Sequence, residues 1–165
     1  MILGIDPGLA RVGYGVIAVE TSPGLGVPGG SPAARQRLLD CGILRTDPGR
    51  GDGDRMVEIA ADLRVLVRRW RPDLAVVEKF FFYRSSTTIA VVQARGVVVM
   101  TLARFGIPVR EFPPMQIKQA LTGNGHAHKD EVLDAVMREL DLAQPPRPDD
   151  AADALAAALT GWFQR

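Results

Sequence analysis

The sequence predicts an α/β fold: a five-stranded mixed sheet with helices on both faces. Two observations carry this. Three strand-like segments follow one another at the N-terminal end, and then helical and strand-like segments alternate before the chain turns wholly helical. Strands joined in succession pair antiparallel, whereas strands joined through helices pair parallel and need helices over the sheet.

Residues 1–5 and 12–19 read as strands, rich in Ile, Val and Tyr, joined by the turn sequence Asp6-Pro7-Gly8. The Pro-, Gly- and Ser-rich stretch 21–34 reads as a long hairpin loop, because too little chain precedes it to fold alone. A third strand spans 37–46. A second loop, "DPGRGDGD", follows, with Asp54 placed to cap a helix over 55–70, where Met56, Ile59, Leu63, Leu66 and Val67 recur at helical spacing. Pro72 and Asp73 stop that helix. Residues 74–77 form a short buried strand ending at Glu78. An unusually apolar helix covers 86–104, and Gly106 closes it. A fifth strand spans 107–111. Helices follow over 113–121, 130–140 and 151–163, the last two separated by the stiff segment "AQPPRPDD". The expected organisation is one domain over 1–165.

Composition excludes several classes. The chain has 165 residues, 24% of them charged, and a net charge of +1, so it is no polybasic nucleic-acid binder and any DNA affinity needs a local basic patch. Its single cysteine, Cys41, allows neither an internal disulfide nor a Cys-only zinc site, which favours a reducing cytoplasm. No apolar run reaches membrane-spanning length, and no secretory signal pattern is present at the start.

Two carboxylates stand at strand ends: Asp6 after the first strand and Glu78 after the fourth. In open α/β sheets the functional crevice lies outside the carboxyl ends of the parallel strands. If the two strands are neighbours, the acids converge there. The last helix adds Asp150 and Asp153 on one face, with Leu155, Leu159 and Trp162 on the packing face. Asp149 reads as a helix-start acid suited to the dipole. Asp153 does not: it sits a turn into an Ala/Leu helix with no basic residue near it in sequence. Clustered carboxylates without His or Cys suit hard cations such as Mg²⁺ or Mn²⁺, the usual site for phosphoryl chemistry.

The motifs "GIDPG" with "GYGVI", "VVEKFFF", "QARGV", "QIKQALTGNGHAHK" and "DDAADALA" together resemble the RuvC family of Holliday junction resolvases, in family order and over nearly the whole chain. The resemblance implies a ribonuclease H-like fold and a structure-selective endonuclease that nicks symmetric strands of a four-way junction during recombination and repair. It implies that Asp6, Glu78, Asp150 and Asp153 are the catalytic acids and hold two Mg²⁺ ions, with Mn²⁺ able to substitute. It also implies that Lys118 and Lys129 lie near the scissile strand, that Phe81 stacks near the junction centre, and that Arg84 and His126 contact DNA. The helix carrying Gln93 to Gly96 would form a homodimer, and a branch-migration helicase complex would be a further partner. The loop at 21–34 departs from the family pattern as an insertion.

Plainer readings stand beside these. Arg68, Arg69 and Arg71 suit a solvated helix end. His126 and His128 are metal-spaced but lie in a basic loop. The first turn also resembles the phosphate loop of actin-like and sugar-kinase domains, but those need two such domains and this chain has length for one.

Overall fold

The computed structural model describes residues 1–21, 34–79 and 86–164. The elements are β1 (Ile2–Asp6), β2 (Arg11–Thr21), β3 (Ala34–Arg45), α1 (Asp52–Trp70), β4 (Leu74–Glu78), α2 (Ser86–Arg104), β5 (Val109–Phe112), α3 (Pro114–Thr122), α4 (Lys129–Leu140) and α5 (Asp149–Phe163). All ten fall where the sequence pattern put them, with ends shifted by a few residues. The sheet order is β3-β2-β1-β4-β5. β1 pairs antiparallel with β2 and β2 with β3, while β4 runs parallel to both β1 and β5.

Strand alternation sorts the core into two layers. Leu3 and Ile5 of β1 and Ala75 and Val77 of β4 face α1 and α2, packing with Ile59, Leu63, Ala94, Val98 and Leu102. Ile2 and Val76 face the other way, toward α3, α4 and α5. Among the described residues, no helix is long and apolar enough to cross a membrane.

α5 is the central helix, and its residues from Ala151 to Gly161 are buried except Asp153. The expectation of one packing face on this helix is corrected: the sheet covers one side and α3 and α4 cover the other, so its alanines are buried as deeply as its leucines. Its approach to the sheet is closer than a side chain permits. A Cβ on Gly4 would lie 1.9 Å from the Ala154 carbonyl oxygen, and one on Gly13 would lie 2.1 Å from that of Asp150.

Two capping expectations also change. α1 starts at Asp52 with Gly51 as its cap, so Asp54 sits inside the first turn and pairs with Arg50 at 3.8 Å. The helix closes on Arg71, whose left-handed φ of 44° ends it one residue before Pro72. Arg68 and Arg69 lie over the rings of Phe105 and Trp70, at 5.7 and 5.0 Å, which fits the plain reading of this basic helix end.

Candidate active site

The acids are brought together by sheet register. Ile5 of β1 pairs with Val77 of β4, so the next positions, Asp6 and Glu78, are neighbours at the carboxyl ends of two parallel strands. Alternation carries both carboxylates to the α5 face, with Ile2, Gly4, Leu74 and Val76. The glycine contacts then lay the start of α5 across β1 and β2, which delivers Asp150 and Asp153 to the same edge. The four candidate acids therefore converge from three segments far apart in sequence.

Their electrostatics follow from this crowding. Burial, and then the charges of Asp153 and Asp150, push the Asp6 carboxyl up to about 6, against the pull of Lys129. Burial and then Asp6 and Asp153 push Glu78 up to about 7, against Lys129 and Lys118. Asp153 is raised by burial, which Lys129 offsets only in part. These carboxylates lack enough positive charge to ionise comfortably as a group.

The counter-charge present is Lys129, at the first position of α4. Its Nζ lies 3.2 Å from Asp153 Oδ2 and 3.4 Å from Asp149 Oδ2. Burial pulls its ammonium down, but the two carboxylates outweigh that and hold it above its ordinary value. Two sequence expectations are thereby corrected. Asp153 does have a basic partner, one that lies 24 positions away in the chain. Asp149 makes no side-chain cap at the start of α5 and instead joins the lysine.

Two clefts open from this point. One is lined by Glu78, Ile117, Lys118, Lys129 and Asp153, so Lys118 stands where the resemblance implied. The other is lined by Arg11, Lys129, Arg147, Asp149, Asp150 and Asp153. Arg11, missed by sequence reasoning, pairs with Asp150 at 3.6 Å. The signal available for it was its place directly after the acidic turn, at the start of the strand beside Asp6. His126 is exposed in the α3–α4 loop and lines neither cleft; its backbone N–H donates to Asn124 Oδ1. His128 caps α4, its backbone N–H donating to Glu131. Phe81 and Arg84 lie outside the described residues.

The comparisons with known proteins bear on this site. The sequence model of the family "Crossover junction endodeoxyribonuclease RuvC" matches residues 2–161. The chain belongs to the RuvC family. A RuvC protein of Parasynechococcus marenigrum is 76% identical over 164 residues, 99% of each chain. The RuvC structure of Thermus thermophilus superimposes with a TM-score of 0.85 at 40% identity, covering 98% of this chain and 93% of that one. The same protein in complex with Holliday junction substrate gives 0.86 at 38% identity, covering 99% and 93%. The sheet and its two helical layers are thus the ribonuclease H-like fold of RuvC.

RuvC proteins are metal-dependent nucleases. The donor chemistry here fits a hard divalent cation: oxygen ligands only, and buried carboxylates held partly protonated for want of positive charge. Among the described residues, no three ligand side chains stand close enough together to close on one ion as they are. Lys129 already neutralises Asp153, so an ion entering the cleft competes with it for that carboxylate.

Proposed function

We propose that this chain is a Holliday junction resolvase that cuts symmetric strands of a four-way DNA junction by metal-dependent hydrolysis. The convergence of Asp6, Glu78, Asp150 and Asp153 at the carboxyl edge of β1 and β4 carries the reading, because it places hard-cation ligands in an open cleft beside Lys118 and Lys129.

Asp6 and Glu78 are proposed to share one ion and, with Asp150 and Asp153, to complete a two-ion site for Mg²⁺ or Mn²⁺. Bound there, the ions would supply a nucleophilic water and charge stabilisation for the pentavalent phosphate. Lys118 and Lys129 hold the phosphodiester at the cleft mouth as point charges. By family resemblance, Phe81 stacks on a base near the junction centre and Arg84 and His126 add DNA contacts; the exposure of His126 leaves it free for an outer contact only.

The whole of 1–165 acts as one nuclease unit, in the cytoplasm, and pairs with a second copy so that two sites meet two symmetric strands. α2 supports this dimer. Ile89, Val92 and Met100 are 67%, 38% and 52% exposed along one side, and Gly96 between them has open space at its Cβ. Such a stripe is the surface a helix pair buries. A branch-migration helicase complex is the further partner that the resemblance implies.

The deciding experiment is nicking of a labelled four-way junction against linear duplex of the same sequence. Paired symmetric cuts in Mg²⁺ or Mn²⁺, binding without cutting in Ca²⁺, and no cuts in EDTA are expected. Equal cleavage of duplex and junction, or cleavage in EDTA, overturns the reading.

A further inference from the structure

Four arginines at one end of the sheet are left unexplained by the fold and by the acidic site. Arg11 opens β2 and Arg45 closes β3, and the two are register partners directly across the strand pair. Both are exposed. Like charges directly opposite one another weaken a strand pair, so the arrangement costs stability. Among the described residues, Arg45 and Arg147 form no ion pair with an acid. Arg55 is different in kind. Its side chain is only 14% exposed, Nε donates to Thr46 Oγ1 at 2.9 Å, and Asp52 lies 3.5 Å from its Nη1. Thr46 is itself buried and donates to the Leu9 carbonyl oxygen at 2.7 Å. The guanidinium is therefore held in place before any ligand arrives.

These residues line a continuous path. A surface depression bounded by Arg11, Arg45, Thr46, Pro48 and Arg55 shares Arg11 as its wall with the cleft that holds Arg147, Lys129 and the acids. We propose that Arg147, Arg11, Arg45 and Arg55 form a lane that binds the sugar–phosphate backbone of the DNA strand on one side of the scissile phosphate. The proposal rests on the nuclease reading above and adds the direction in which the strand leaves the site. From β1, which carries Asp6, to β3, which carries Arg45, is two strand spacings. At about 4.8 Å each this spans roughly 10 Å. That is the axial run of about three nucleotides at about 3.4 Å per nucleotide of one strand. The lane thus takes phosphates two to three positions from the cut. With a net charge of +1 on the whole chain, such a local concentration of unpaired guanidinium groups is what backbone affinity must come from.

The test is the salt dependence of binding to a four-way junction in Ca²⁺, read by fluorescence anisotropy, for the unaltered protein, Arg45→Gln, Arg45→Lys and the double variant Arg45→Gln/Arg147→Gln. Each lost phosphate contact lowers the slope of log K against log salt by about 0.9, so the double variant is expected to lose about 1.8. Arg45→Lys keeps the charge and is expected to keep the slope. In Mg²⁺, Arg45→Gln should raise KM with kcat unchanged, and its melting temperature should equal or exceed that of the unaltered protein once the like-charge pair is gone. An unchanged slope in the double variant overturns the lane. Failure of the unaltered protein to bind a junction at all overturns the nuclease reading instead.

Discussion

Lys129 Nζ and Asp153 Oδ2, 3.2 Å apart, tie the first turn of α4 to the one half-exposed acid of α5. The contact gives the acidic edge a resident cation. It also sets up a competition, since whatever divalent ion the carboxylates accept must share Asp153 with an ammonium already held there. The ion pair is a third exposed on the acid side, so its own contribution to stability is small. Its weight is in the charge balance of the cleft.

Asp6→Asn, Glu78→Gln, Asp150→Asn and Asp153→Asn each remove one ligand charge with little change of shape. Junction cleavage in Mg²⁺ is expected to fall by on the order of a hundredfold or more, while junction affinity stays within a few-fold. A variant that cuts near the unaltered rate does not belong to the site. Single-turnover nicking and gel-shift titration make the comparison.

The raised carboxyls predict a specific pH response in metal-free protein. Asp6 and Glu78 titrate near 4 in the unfolded chain. Folded, they titrate at about 6 and about 7. Between those limits the folded chain keeps protons that the unfolded chain has released, so these groups cost stability as pH rises from about 4 to about 7. Glu78→Gln removes one of them. In EDTA at pH 7.5 it should melt higher than the unaltered protein, by the equivalent of on the order of 1–3 kcal/mol, and the gain should shrink toward pH 5. Added Mg²⁺ should reverse the order. An equal melting temperature for both proteins in EDTA at pH 7.5 would falsify the electrostatic account.

Two valines on α2 separate fold from assembly. Val98 has no exposure and packs against the sheet, whereas Val92 is 38% exposed beside Gly96. Val98→Asp buries an unpaired charge and is expected to unfold the chain. Val92→Asp should leave a folded monomer with unpaired, slower nicks. Sedimentation and circular dichroism on both variants decide the matter, and a folded Val92→Asp dimer removes this side of α2 from the interface.

Gly13→Ala is expected to lower stability by about 1–3 kcal/mol, because its new Cβ meets main chain that has no rotamer to turn away. Cleavage per folded molecule should fall as well, since the atom struck belongs to Asp150. Thermal melting and active-site titration separate the two losses. Cleavage per folded molecule equal to that of the unaltered protein would detach the packing from the chemistry.

Much of this was legible in the chain because it is local. Strand and helix periods placed all ten elements, and the rule that crevices lie beyond parallel strand ends brought Asp6 and Glu78 together before any coordinates. What was not legible depends on partners distant in sequence. Nothing in an Ala/Leu helix says that Lys129, two dozen residues earlier, will reach Asp153. A helix apolar on every side has no phase to read, so the choice between Val92 and Val98 as the outward residue needed the sheet beneath it. The opposition of Arg11 and Arg45 needed the β2–β3 register, which passes an irregularity between Val16 and Ile17 that no pattern announces. Asp54 was taken for a cap because capping acids and first-turn acids look alike when Gly51 is available to start the helix.

The direct seating of α5 on Gly4 and Gly13 has a consequence for how this nuclease can change over evolutionary time. Where a helix rests on side chains, compensating swaps can move it by fractions of an ångström, and a lineage can drift through them. Here main chain rests on main chain, so that route of adjustment is closed. Substitutions elsewhere in the core can alter melting temperature, but the spacing between the strand acids and the helix acids has few neutral neighbours. Divergence is therefore expected to collect in surfaces and loops, such as the 21–34 stretch, while the two glycines and the alanine face above them hold still.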